Sequence, residues 1–146
     1  MRLIPIIAGF GLAFLAGAQT KGWQVLKDKT GACQMAVPGD WHINPQVPSM
    51  ATAPDTSDVM IHAQPGKTMQ AIPPGAEKVL GVEKMLENTA QRVIWAGKPA
   101  STSPPVIGYH VTAPGKGGTC AAQITVRQGT PESLVKQIGE TVGAAK

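Results

Sequence analysis

Thr119-Cys120-Ala121-Ala122-Gln123-Ile124-Thr125-Val126-Arg127 is the stretch on which the fold turns. Cys120, Ala122, Ile124 and Val126 alternate with Ala121, Gln123, Thr125 and Arg127, and a period of two predicts a strand with one apolar face. Cys120 lies on that face. Immediately before it, Pro114-Gly115-Lys116-Gly117-Gly118 reads as a hairpin tip leading back to a strand over 106–113. A further strand over 92–97 is set off by the proline-rich turn at 98–105. Near the start of the chain, runs over 23–28 and 32–37 flank Lys29-Thr30-Gly31 and form a second hairpin, with Cys33, Met35 and Val37 on its more apolar side. Both cysteines therefore point inward on strands.

Two helices complete the pattern. Residues 76–90 carry Val79, Val82, Leu86 and Ala90 at spacings of three and four, with Met85 alongside and Glu77 in the first turn, where the helix dipole favours a carboxylate. Thr130-Pro131-Glu132 reads as a capping residue, a proline at the first helical position and an acid, followed by Leu134, Val135, Ile138 and Val142 on one stripe. Between the elements, residues 44–58 and 64–75 are rich in Pro, Gly, Ser and Thr and read as loops around a short strand at 59–63. The expected fold class is α+β, an antiparallel β-sheet flanked by helices and tied by one disulfide.

The N-terminus sets the compartment. Met1-Arg2, an apolar run over 3–16 and Ala16-Gly17-Ala18 match a secretory signal peptide over 1–18, cleaved after Ala18. The run is shorter than the roughly 20 residues of a membrane span and is interrupted by Pro5, Gly9, Gly11 and Gly17. A single domain over 19–146, periplasmic or secreted and without stable membrane insertion once the signal is removed, is the expectation. In such a compartment two cysteines, Cys33 and Cys120, most simply form one bridge, which in the chain-entropy model stabilises by about 4–5 kcal/mol. A free nucleophilic thiol or a metal pair is the rival reading, and neither a CxxC pair nor a neighbouring His supports it.

Composition narrows the rest. The chain has 146 residues with 17 Gly and 13 Pro, and 15% of it is charged, so collagen, coiled coil and a large multidomain enzyme are excluded. Both phenylalanines, Phe10 and Phe14, fall in the signal segment, which leaves Trp23, Trp41, Trp95 and Tyr109 as the aromatic residues of the exported domain. With so few large rings, Trp41 and Trp95 are expected in the core. The functional alternative is that Trp41, beside His42 at a strand exit, lines a groove for a peptide or sugar.

Ala36-Val37-Pro38-Gly39-Asp40-Trp41 is a strand ending in Pro-x-x-Trp, followed by strand, helix, strands and a C-terminal helix. In this the chain resembles the PsbP/Mog1-like α/β/α sandwich group, over most of 22–143. The resemblance implies a small non-catalytic binding or assembly module, often exported. Over these residues it departs from the group in lacking Phe and in its expected disulfide.

Motifs for chemistry are sparse. Gly66-Lys67-Thr68 lacks the upstream Gly of a phosphate loop, since position 61 is Ile, and the glycines at 115–118 join two strands with no helix behind them. No Gly-x-Ser-x-Gly elbow occurs, and Ser101, Ser103 and Ser133 sit in a turn and at a helix start. Nor do Glu77, Glu83 and Glu87 suggest a catalytic pair. A formal net charge of +4 is spread over separated lysines, with Lys21, Lys27 and Lys29 interrupted by Asp28, which excludes a nucleic-acid patch. The three histidines, His42, His62 and His110, have no HxxH spacing. His110 opposes the apolar Ile107, Tyr109 and Val111 on its strand, and His62 opposes Ile61, so both project from one sheet face if their strands are neighbours. The leading expectation is an exported binding or accessory module of the cell envelope, with no cofactor and an unidentified protein or small ligand as partner. The alternative is a small exported enzyme or metal-binding protein built on the strand-borne histidines. Trp41, His42, His62 and His110 are the candidate surface.

Overall fold

A computed structural model describes residues 22–146, and the expected signal peptide over 1–18 lies outside the described residues. The elements in chain order are β1 (Gln24–Lys27), β2 (Cys33–Val37), β3 (His42–Ile43), β4 (Met50–Thr52), β5 (Asp58–Pro65), α1 (Glu77–Leu80), β6 (Lys84–Asn88), β7 (Val93–Ala96), β8 (Val106–Gly115), β9 (Gly118–Arg127), α2 (Glu132–Gly139) and β10 (Gly143–Ala144). They form a seven-stranded sheet in the order β3-β4-β5-β9-β8-β7-β6 and a three-stranded sheet in the order β1-β2-β10. Every named pairing is antiparallel. Among the described residues the protein is thus mostly antiparallel β with two short helices, and it carries one disulfide.

The large sheet is built around the expected strand. β8 and β9 pair over ten positions, from Val106 with Arg127 to Gly115 with Gly118. Gly115 is required at this tip, because a Cβ there would come within 2.7 Å of Cys120 Sγ. β5 takes the other edge of β9, with Val59 opposite Ile124 and Ala63 opposite Cys120. Alternation then puts Val59, Ile61, Tyr109, Val111, Ile124 and Val126 on one face, and all are buried.

The small sheet and α2 cover that face. Leu26, Met35 and Val37 come from the small sheet and Val135 and Ile138 from α2, and all join the same core cluster. A Cβ on Gly139 would meet Ile94 Cδ1 at 2.9 Å and Val111 Cγ2 at 3.5 Å, so this glycine lets α2 lie close on the sheet. Cys33 and Cys120 are bonded, their Cα atoms 5.6 Å apart across 87 positions of sequence. The bridge links β2 of the small sheet to β9 of the large one. At the β1–β2 turn the Asp28 carboxylate accepts from the Thr30 amide at 2.9 Å, the Thr30 hydroxyl at 2.5 Å and the Cys33 amide at 2.8 Å. Burial alone would raise the pKa of Asp28, but these hydrogen bonds outweigh it and hold the carboxyl below its ordinary value.

Several expectations are corrected. The helix read over 76–90 shrinks to the four residues of α1, which buries none of its side chains, so it supplies no flanking layer. Gly81 ends it in the left-handed conformation, φ 81° and ψ 29°, and the rest of the segment becomes the edge strand β6. A bulge between Met85 and Glu87 breaks the period-two pattern there, which is why the strand did not show in the alternation. The loop read over 44–58 contains β4. At α2 the N-cap is Pro131 and not Thr130, with no side-chain capping bond.

Candidate functional site

Among the described residues no helix or second sheet covers the other face of the seven-stranded sheet. Register lays its side chains out in rows across the strands. Gln123 of β9 pairs with His110 of β8, which pairs with Trp95 of β7. The next row runs His62, Ala121, Thr112 and Val93. Over β9, β8 and β7 the large side chains of the first row therefore stand beside the smaller Ala121, Thr112 and Val93 of the second, and the difference in side-chain height makes a trough across the sheet that His62 closes at the β5 end.

A strap forms the opposite wall. Residues 67–72 cross the face and are pinned at both ends: the Thr119 hydroxyl donates to the Lys67 carbonyl at 2.6 Å, and Asn88 grips Ile72 twice, accepting from its amide at 2.8 Å and donating to its carbonyl at 2.9 Å. Gly66 N–H donates to the Gly117 carbonyl at 2.8 Å, which fixes the strap's start on the β8–β9 tip. Between strap and rows lies a partly open cleft of about 640 Å³, within the range of small-molecule sites.

The cleft is polarised along the strand order. Its β5–β9 end presents His62, Gln64, Thr119 and Gln123, with Lys67 as the one fixed charge among the described lining residues. Its other end presents Val93, Trp95, Ile72 and Leu80. Among the described residues no Asp or Glu lines it. Trp95 and His110 are stacked, ring centroids 4.2 Å apart and planes 18° from parallel, so the pair forms one rigid block. Burial holds the His110 pKa below its ordinary value, which keeps the imidazole neutral at pH 7. The Gln64 amide nitrogen lies 3.4 Å from His62 Nε2, and Gln64 Oε1 is buried with no partner among the described residues.

Of the expected site residues, His62 and His110 line this cleft together, on two strands both paired to β9. His42 is exposed on the edge strand β3 and does not line the cleft. Trp41 takes the core position expected of it and not the groove of the alternative reading: it is 6% exposed and belongs to the core cluster, turned inward after β2 by a bond from its amide to the Pro38 carbonyl. Trp95, expected in the core, is the ring that stands in the cleft. The reason lies in β7, whose residues Val93 to Ala96 are apolar on both faces, so the sequence carries no alternation to say which face the ring takes. Gln64, Gln123 and the strap were not singled out by sequence, and only register brings them to His110. Among the described residues no group of three His, Cys, Asp or Glu comes together as a metal site.

No family model and no curated protein matches the chain. A solved structure from Bacteroides thetaiotaomicron VPI-5482 is similar to it, at 15% identity and a TM-score of 0.59, over 84% of this chain and 48% of that one. The chain spans about half the length of that neighbour, and the likeness shows the fold alone.

Proposed function

We propose that this chain is a non-catalytic binding module that holds a small ligand in the outer-face cleft, exported to the periplasm or beyond the cell. The observation that carries the reading is a cleft whose strap wall is fixed by hydrogen bonds at both ends, so that little ordering is left to be done when a ligand enters. The formed disulfide is what an oxidising compartment gives, and among the described residues no helix is long and apolar enough to cross a membrane. The reading as an accessory module also draws on the resemblance to the PsbP/Mog1-like group, which rests on the turn from Val37 to Trp41.

A catalyst or metal site on His62 and His110 is the alternative, favoured by their common cleft. General acid–base work needs a group to orient or charge the imidazole, and no lining carboxylate does so. The test is a thermal-shift screen of the full chain against a metabolite library, repeated with Gln123→Trp, which overhangs the trough from its rim, and Thr112→Trp, which fills its floor. Compounds that stabilise the unaltered protein and lose their effect in both variants support the reading; stabilisers indifferent to both variants refute it.

A further inference from the structure

Resting on the proposal that the cleft is a ligand site, the distribution of its lining residues indicates what kind of molecule it takes. The polar end is made by His62 and Gln64 of β5 and by Lys67 at the start of the strap, and the apolar end by Ile72, Leu80 and Trp95. From β5 to β7 the sheet steps across three ladder spacings, or about 14 Å. A ligand spanning that distance meets hydrogen-bonding groups and a cation first and only apolar side chains last. The apolar end continues outward onto the tip of α1, where Leu80 is 49% exposed and Val79 88%, so a tail is not stopped at the rim. At the head end the fixed charge is positive, and among the described residues no lining carboxylate opposes an anion.

We propose that the cleft binds a single-chain amphiphile with an acidic head group, its head beside Lys67 and its tail running under the strap toward Leu80. A medium-chain carboxylate is the simplest member of the class. A cationic amphiphile of the same length meets Lys67 with its like charge, and a neutral one loses the head contact while keeping the tail.

Decanoate, decanol and decyltrimethylammonium, each below its micelle-forming concentration, test this on the full chain at pH 7.5, with binding followed by tryptophan fluorescence and calorimetry. Decanoate is expected to bind about tenfold more tightly than the cation, the effect of exchanging an attractive exposed charge contact for a repulsive one. Lys67→Glu is expected to weaken decanoate about tenfold and leave decanol within about twofold. Leu80→Glu, at a half-exposed position that the fold does not depend on, is expected to weaken both by about tenfold. Equal binding of the cation, or decanoate binding that neither substitution changes, overturns the acidic amphiphile. If none of the three binds but library compounds still depend on an open trough at Gln123 and Thr112, the ligand class is wrong and the cleft reading survives. If no compound of either set responds to filling the trough, both fall.

Discussion

Trp41 leaves a strand whose alternate side chains are buried, and the chain turns it back onto the same core; Trp95 sits on a strand with apolar residues on both faces and takes the outer one. The two rings are chemically identical and their substitution should have opposite consequences. Trp41→Ala is expected to cost about 3–5 kcal/mol in denaturant unfolding, the penalty of deleting a buried ring. Trp95→Ala should cost well under half as much, because its removal uncovers a cleft and leaves no core cavity, while abolishing the fluorescence response to any cleft ligand. Equal costs would mean that the outer face is part of the core. His110 carries a pH dependence of the same origin. Its folded pKa lies below the ordinary imidazole value of about 6.5, so below that value the unfolded chain binds more protons than the native one. Stability contributed by the neutral ring is therefore full above about pH 6.5 and lost as pH falls toward the folded pKa. Stability curves between pH 5 and 7 should slope upward with pH, and His110→Phe should flatten them; an unchanged slope would assign the effect to other groups. Asp28, whose pKa is lowered, acts in the more acidic window, its contribution being present above about pH 3.9 and lost as pH falls through the folded value. Asp28→Ala should cost about 1–3 kcal/mol at pH 7 by orphaning the Cys33 amide, with urea unfolding as the measurement.

At the level of elements, what alternation could express was legible and what pairing decides was not. The alternation of β9 and β2 gives the inward cysteines, and that of β5 and β8 the outward His62 and His110. β6 shows the limit. Val79, Val82, Leu86 and Ala90 satisfy a helical spacing, but Gly81 adopts a left-handed conformation that stops the helix, and the four backbone positions of β7 gain a ladder by pairing with the segment that follows. A bulge then hides that strand from any period count. The strap is invisible for a related reason: its position depends on Asn88, sixteen residues away, whose amide side chain imitates a strand partner for Ile72. Asn88→Ala removes both bonds at an exposed site, so global stability should fall by only about 1–2 kcal/mol. Amide exchange at Ile72 should rise far more than exchange in β8 or β9, and ligand affinity should fall as the wall loosens. Unaltered exchange at Ile72 would mean that the strap is held by its packing alone.

Across the whole molecule, the two sheets have unequal claims to stability. β8, β9 and β5 form long ladders that bury one full face, whereas the small sheet consists of strands of four, five and two residues, with β10 held to β2 by only two paired positions. Three such strands do not stand alone, so the small sheet persists by lying on the large one, and the Cys33–Cys120 bond is the one covalent tie between them besides the chain itself. Residues 19–146 contain no Phe to enlarge that contact, which makes the restriction of the unfolded chain by the bond a correspondingly large share of its stability. Cys33→Ser combined with Cys120→Ser should therefore lose about 4–5 kcal/mol and lower the melting temperature by about 10–20 °C. The loss should also be uneven. Below the reduced melting temperature, amide exchange should rise first in β1, β2 and β10, while β8 and β9, paired over ten positions, stay protected. Because the cleft lies on the face of the large sheet turned away from the small one, its ligand affinity should survive reduction under those conditions. A melting temperature that does not move, or exchange that rises equally in both sheets, would show that packing between the layers holds the fold without the bond.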